Sequence, residues 1–147
     1  IKMYWPDAPK YMTIKTHELA SKVYGLERAD PSKPVYFLEG PIDSLFIDNG
    51  CAITGGTLGL DEIPFPDQRV FVLDAEPRSA DTMHRLEKFI NAGEKIVLWD
   101  RCPWHSKDVN AMIQDEGATR DQIMEYIKEN TVQGLMAKMR FMKYCKF

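Results

Sequence analysis

The stretch Val35-Tyr-Phe-Leu-Glu-Gly-Pro-Ile-Asp43 constrains the fold of this chain more than any other. Its first four residues are β-branched, aromatic or aliphatic, a pattern that predicts a strand buried on both faces. Gly40 allows a tight turn after the strand, and Pro41 suits the first position of a helix. Glu39 should therefore lie at the carboxyl end of a buried strand, which is the edge where open α/β sheets bind ligands.

Three further apolar segments are predicted to be strands of the same sheet, namely 51–56, 69–74 and 95–100. Cap residues, helical spacing of apolar residues and stop signals predict helices over 16–24, 41–49, 79–92, 107–115 and 119–130. This alternation predicts an α/β fold in which a mostly parallel four-stranded sheet carries helices on both faces and has right-handed crossovers.

The composition is that of an ordinary globular protein, with 44% hydrophobic and 28% charged residues in 147. A net charge of −3 gives no general attraction to nucleic acid, so any such binding needs a local basic patch. The three cysteines (Cys51, Cys102 and Cys145) form no CxxC pair, which favours reduced thiols and argues against a structural zinc site in this chain. No apolar run is long enough to span a membrane and no signal peptide is visible, so we expect a cytoplasmic protein.

Acidic residues follow the predicted strands and form the main functional clue. Asp74 and Glu76 are two positions apart after the third strand, so both side chains can point to one side of the extended chain. Glu39 and Asp43 come from the neighbouring crossover, so we expect four carboxylates to converge. Such oxygen ligands suit Mg²⁺ or Mn²⁺, and a site of this kind suits phosphoryl transfer. A carboxylate without metal would act as a general acid or base.

The arrangement resembles the Toprim domain, a Rossmann-like fold shared by DnaG-type primases, topoisomerases and some nucleases. The resemblance covers roughly residues 33–115. It depends on four segments, which are Glu39-Gly-Pro-Ile-Asp43, Ala52-Ile-Thr-Gly-Gly56, Leu73-Asp-Ala-Glu76 and Lys107-Asp-Val-Asn110. Within the family, the chain is most similar to the Toprim part of helicase-partnered primases of tailed phages, on the segments Glu39-Gly-Pro-Ile-Asp-Ser-Leu-Phe46, Asp74-Ala-Glu-Pro-Arg78 and Lys107-Asp-Val-Asn-Ala-Met112.

The resemblance implies a phage DNA primase domain that makes RNA primers on single-stranded DNA from ribonucleoside triphosphates, with Mg²⁺ as cofactor and a replicative helicase as partner. It implies that Glu39 is the acid/base or a metal-linked carboxylate, that Asp43 supports it, and that Asp74 and Glu76 carry the metals. Glu76 stands where the family has a second Asp, and its longer side chain is expected to act through water. The zinc-binding module of such primases would lie upstream of Ile1.

Other candidates have two interpretations each. Arg78 and Lys107 would hold nucleotide or primer phosphate, or would balance the acids as salt bridges. Gly55 and Gly56 would allow close approach of a phosphate, or would form a plain turn. Asp108 would support the ligands, or would be the N-cap of its helix, which we favour.

The domain boundaries expected from the sequence are an N-terminal arm and helix over 1–32, the catalytic domain over 33–115 and a C-terminal helical extension over 116–147. In that extension, Leu135, Met139 and Met142 have helical spacing, which favours packing against the core, although a methionine-rich face also suits a partner groove. Two other functions stay open: a Toprim nuclease that hydrolyses phosphodiesters, and a non-catalytic scaffold that bridges helicase and DNA.

Overall fold

A computed structural model describes residues 22–54 and 59–147 of the chain. Within these residues one mixed sheet contains six strands in the order β1-β3-β2-β4-β5-β6. The strands are β1 (Val23–Tyr24), β2 (Val35–Leu38), β3 (Gly50–Ile53), β4 (Arg69–Val72), β5 (Lys95–Val97) and β6 (Thr131–Val132). The four central strands are parallel, and β1 and β6 pair with the two edges in antiparallel orientation.

Five α-helices accompany the sheet in the described ranges. They are α1 (Pro41–Ser44), α2 (Ala80–Asn91), α3 (Val109–Glu116), α4 (Arg120–Glu129) and α5 (Gly134–Tyr144). Short 3₁₀ turns occur at Leu26–Arg28 and Leu60–Glu62. None of the helices in the described part of the chain is long and apolar enough to cross a membrane.

The predicted α/β fold with a mostly parallel sheet is confirmed, but the predicted strand count of four is wrong. The four predicted strands form the centre of the sheet, and the two additional edge strands have only two residues each. A pair of residues is too short to show a periodic pattern, so the sequence contains no signal for them. The end of the helix predicted over 16–24 is wrong, because Val23–Tyr24 is a strand; residues 16–21 lie outside the described ranges.

The connections place a topological switch point between β2 and β4. From β2 the chain continues to β3, which lies towards one edge of the sheet. From β4 it continues to β5, which lies towards the opposite edge. The two strands lie side by side, with Val35 opposite Arg69 and Leu38 opposite Val72. Their connections diverge at the carboxyl ends, which opens the crevice where doubly wound α/β proteins bind ligands.

Core packing holds β2 and β4 in place, and with them the carboxyl ends that form the crevice. All four residues of β2 and all four of β4 are buried, so both strands are covered on their two faces. Phe71 on β4 stacks on Phe89 of α2, with ring centroids 4.2 Å apart. The Ser79 side chain accepts a hydrogen bond from the N–H of Thr82 and begins α2 just after the end of β4. The cap therefore sets where α2 begins, and the apolar face of the helix holds it against β4 beside the crevice.

The C-terminal helix α5 packs on α2 by a different face from the predicted one. Its buried residues are Ala137, Arg140 and Tyr144, whereas the predicted stripe of Leu135, Met139 and Met142 is exposed. Arg140 determines this orientation, because its guanidinium forms an ion pair with Asp100 and donates a 2.9 Å hydrogen bond to Oδ1 of Asn130. The expectation that the stripe packs against the core is wrong.

Candidate active site at the ends of β2 and β4

Glu39 is the first residue after β2, and both of its carboxylate oxygens have partners. Oε2 accepts a 2.7 Å hydrogen bond from the backbone N–H of Asp74, which lies just beyond β4. Oε1 forms an ion pair with Arg85 of α2. Glu39 therefore bridges the two strands that flank the switch point and connects both of them to the helix that follows β4.

Asp74 is the most strongly perturbed acid of the site. Burial and, after it, the negative charges of neighbouring acids together raise its pKa from the ordinary 3.8 to about 7. These neighbours are, in decreasing order of effect, Glu39, Asp43, Asp108 and Glu76. The structure therefore brings all four predicted carboxylates, together with Asp108, within electrostatic reach of one another. Excess negative charge at a half-buried position is typical of a functional site.

Asp43 is buried, with only 7% of its surface exposed, and it faces the N-terminus of α3. Its Oδ1 accepts a 2.8 Å hydrogen bond from the backbone N–H of Asn110 in the first turn of that helix. Burial raises the pKa of Asp43 and the Asn110 N–H opposes that rise, while the charges of Asp108 and Glu39 add to it. Asp43 thus connects α1 to α3 and adds negative charge beside Asp74.

Gly40 leaves the space that the Asp43 side chain occupies. A Cβ atom at position 40 would lie 2.6 Å from Oδ2 of Asp43, which is far inside van der Waals contact. Gly40 has an extended backbone with φ −110°, so a larger residue is excluded here by this contact and not by backbone strain.

Asp108 is the N-cap of α3, as the sequence indicated. Its side chain accepts a 2.8 Å hydrogen bond from the N–H of Ala111. The preceding residue, Lys107, is exposed, and its backbone carbonyl accepts a 2.6 Å hydrogen bond from the N–H of Ala75. This contact joins the loop after β4 to the start of α3. The positive charge of Lys107 opposes part of the rise in the pKa of Asp43.

Glu76 lies in the turn between β4 and α2. Its N–H donates a 2.9 Å hydrogen bond to the Asp74 carbonyl, and its own carbonyl accepts one of 3.0 Å from the N–H of Ser79. Within the described residues its carboxylate has no hydrogen bond or ion pair. The side chain is half-buried, and its charge is the weakest of the four that act on Asp74.

The predicted phosphate-binding residues differ in where they lie relative to the acidic site. Lys107 lies beside Asp43, Asp74 and Asp108, with which it lines a narrow crevice. Arg78 is exposed and forms no ion pair with any residue that the structure describes, so it does not balance the acids there. Gly55 and Gly56 lie outside the described ranges, and their role stays a prediction.

Arg85 is the residue that sequence reasoning missed. It lies 46 positions from Glu39, and no motif connects the two. It also lines a cleft of about 460 Å³ beside Glu39, whose apolar walls include Leu38, Leu73 and Phe89. The sequence signal that could have indicated Arg85 is its position on the first turns of the helix after Asp74. That helix follows β4, which lies beside β2, so its first turns come close to the end of β2.

The donor set fits a divalent cation that shares its coordination with a substrate. Among residues 22–54 and 59–147, no group of three or more His, Cys, Asp or Glu side chains has the spacing that would hold a metal by itself. Mg²⁺, however, commonly takes only one or two carboxylates and completes its octahedron with water and phosphate oxygens. Asp74 and Glu76 are the residues that would hold it, together with Glu39, whose oxygens each accept one contact and keep a second lone pair.

The fold and the site together define an α/β domain with an acidic centre at its switch point. Over 141 residues the chain is 60% identical to a DNA primase from Enterobacteria phage T4. The matched region is 95% of this chain but 41% of that protein, so the chain spans less than half the length of the relative. No family model matches the chain.

Proposed function

We propose that this chain is the Toprim-like catalytic domain of a phage DNA primase, which joins ribonucleoside triphosphates into RNA primers on single-stranded DNA. The observation that carries the proposal is the meeting of Glu39 and Asp74 at the switch point, in a chain 60% identical to a DNA primase. The similarity supports the class of reaction, and the acidic crevice supports its location.

The chemistry assigned to this site is nucleotidyl transfer with Mg²⁺ or Mn²⁺. When bound, the metal would neutralise the charge that develops on the attacking and leaving oxygens. Asp74 and Glu76 would hold it, and a cation would offset the negative charge of the neighbouring acids, which after burial is the second cause of the raised pKa of Asp74. Glu39, held by two donors in a fixed direction, would act on the 3′-hydroxyl of the primer as acid/base or through a metal-linked water.

The other residues of the site are assigned to support and to phosphate binding. Asp43 would keep the N-terminus of α3 against the site through its hydrogen bond to Asn110. Lys107 would hold a nucleotide phosphate as a point charge, because it is exposed beside the acids. Arg78 would bind phosphate from the turn after Glu76. A replicative helicase partner and a location in the cytoplasm of the host cell are proposed from the resemblance and the similarity alone.

A metal titration of the purified chain and of an Asp74→Asn variant tests the site. Because a ligand that binds only the folded state raises its stability, millimolar Mn²⁺ should raise the melting temperature of the wild type. The variant should show a much smaller rise. If neither protein responds to Mn²⁺ alone, the titration is repeated with a nucleoside triphosphate, since phosphate oxygens complete the coordination. No response of either protein in the presence of nucleotide would contradict the proposed metal site.

Primer synthesis tests the reaction. The protein at its natural length is incubated with single-stranded DNA and labelled ribonucleotides, and Asp74→Asn should reduce incorporation by orders of magnitude. Strand cleavage without incorporation would instead identify the nuclease. The scaffold would be identified if Asp74→Asn functions normally and still binds DNA and helicase as the wild type does.

A further inference from the structure

We propose that Arg85 is a positioning residue, which holds the Glu39 carboxylate towards the reacting phosphate and leaves nucleotide binding to other groups. The proposal rests on the proposed function of the site, and it assigns a role to a residue that no motif singles out. Three observations carry it: the occupancy of both Glu39 oxygens, the anchoring of Arg85 on α2, and the charge around the ion pair.

The contacts of Glu39 divide into a fixed one and a replaceable one. The N–H of Asp74 belongs to the backbone, so this hydrogen bond persists whatever side chain stands at position 74. A single hydrogen bond leaves the carboxylate free to rotate about its own side-chain torsions. The ion pair of Oε1 with Arg85 is a second contact, and two contacts together prevent this rotation. Arg85 thus decides the direction in which Glu39 points.

The position of Arg85 is itself well determined. Helix α2 buries Met83, Leu86 and Phe89, and these residues orient the polar side of the helix towards the end of β2. Arg85 keeps 36% of its side chain exposed, while its Nε atom is buried and has no hydrogen-bond acceptor among the described residues. The guanidinium is therefore held by its Nη2 contact with Glu39 and not by a network of several acceptors.

The charge around the pair explains why a cation is needed here. The second anion near Arg85 is Asp81, one turn earlier on α2, whose Oδ2 lies 3.6 Å from Nε. Asp81 is 88% exposed, so water screens its charge and the pairing with Arg85 is weak. Glu39 in contrast lies among Asp43 and Asp74, both acidic. Without Arg85 these charges would repel the Glu39 carboxylate and turn it away from the strand ends.

The charge at the cleft argues against a direct role of Arg85 in phosphate binding. Glu39, Asp81 and Arg85 all line the cleft and together carry a formal charge of −1. An incoming phosphate would meet a guanidinium that is already paired with the Glu39 carboxylate, and the water-screened charge of Asp81 adds a weak repulsion. The effect of Arg85 on the reaction should therefore pass through Glu39, which makes the two residues energetically coupled.

A double-mutant cycle in primer synthesis tests this coupling. The variants are Glu39→Gln, Arg85→Gln and both together, and kcat and KM for the nucleoside triphosphate are measured in the protein at its natural length. We expect Arg85→Gln to lower kcat by about 10- to 100-fold, the scale seen when a reacting group is misplaced by about an ångström. KM should change by less than about twofold, because binding is not affected. The double variant should be no slower than Glu39→Gln alone.

Two further variants separate positioning from a structural role. Arg85→Lys retains the charge but not the guanidinium, so its kcat should lie between those of Arg85→Gln and the wild type. If Arg85→Gln does not fold, Arg85→Lys replaces it in the double-mutant cycle. Arg120→Gln is the control, because it removes an arginine–carboxylate ion pair away from the site, a more exposed one with Asp48 at 3.6 Å. It should leave kcat unchanged, and melting temperatures are recorded for every variant.

Several results would overturn the proposal. If the losses of the two single variants multiply in the double variant, Arg85 acts independently of Glu39. If Arg85→Gln raises KM and leaves kcat unchanged, Arg85 binds the nucleotide directly. If Arg85→Gln is fully active while Asp74→Asn is inactive, the proposed function stands and this inference alone fails. If Asp74→Asn and Glu39→Gln are both fully active, the proposed function fails and the inference fails with it.

Discussion

The backbone N–H of Asp74 donates a 2.7 Å hydrogen bond to Oε2 of Glu39, and this bond joins the ends of two parallel strands through an acid and the peptide group of a second acid. The two side chains differ in environment. Glu39 has an arginine partner, whereas the pKa of Asp74 is raised to about 7 by burial and by four acidic neighbours. One site thus contains a compensated carboxylate and an uncompensated one.

The raised pKa of Asp74 predicts a pH-dependent penalty on the fold. An acid whose pKa is 3.8 when unfolded and about 7 when folded contributes stability below about pH 4, and this contribution is lost as the pH rises through 7. Asn at position 74 cannot ionise. Asp74→Asn should therefore raise the melting temperature relative to the wild type at about pH 8, and this difference should shrink towards about pH 5. A difference that stays constant across this range, measured without metal, would contradict the assignment.

Asp108 offers a way to change the charge near Asp74 without removing a helix cap. Asn caps helices about as well as Asp, so Asp108→Asn should keep the hydrogen bond to the Ala111 N–H and leave stability nearly unchanged. It removes one negative charge that raises the pKa of Asp74. The pH at which the Asp74 carboxyl titrates, followed by carbon NMR, should therefore fall. Asp108→Ala is the comparison, since it should also cost about 0.5–2 kcal/mol of stability.

Gly40→Ala should destabilise the fold through Asp43. The new Cβ would lie 2.6 Å from Oδ2 of Asp43, which is buried and accepts a hydrogen bond from Asn110. Moving this carboxylate breaks the bond and should lower the free energy of unfolding by about 1–3 kcal/mol, measured by urea denaturation. Gly59→Ala is the matched control, because its Cβ would meet Oδ1 of Asp61 at 2.8 Å, and Asp61 is exposed and free to turn away.

If the penalty of Gly40→Ala arises from this contact, it should become smaller in an Asp43→Ala background, where the obstructing carboxylate is absent. Equal penalties in the two backgrounds would show that position 40 requires glycine for another reason.

The ion pair of Arg140 with Asp100 should stabilise the fold without affecting the site. Both side chains are largely buried, and Arg140 also contacts Asn130. Arg140→Met leaves the Asp100 side chain, which is 17% exposed, without its cation, so it should lower the free energy of unfolding by about 1–3 kcal/mol. Adding Asp100→Asn should restore part of that loss. The pH dependence attributed to Asp74 should persist in both variants, and its disappearance would mean that α5 supports the site.

The parallel centre of the sheet and its helices were predictable because their signals are local. The unbroken apolar runs of β2 and β4, the Ser79 and Thr119 caps and the position of Gly93 after α2 indicate where these elements lie. The edge strands β1 and β6 were not predictable, because two residues pair only where a neighbouring strand offers free backbone groups. The domain boundaries at 32 and 115 remain predictions.

The sequence by itself determined which acids follow which strands, since strand ends and turns are encoded in neighbouring residues. It therefore placed Glu39 and Asp74 at one edge of the sheet. Only the tertiary structure decided what each acid contacts. Asp100 also follows a strand, yet it is paired with Arg140 on α5, and Glu39 is paired with Arg85 on α2. Such pairings join residues about 40 positions apart, and they depend on how helices pack on the sheet, which no local pattern specifies.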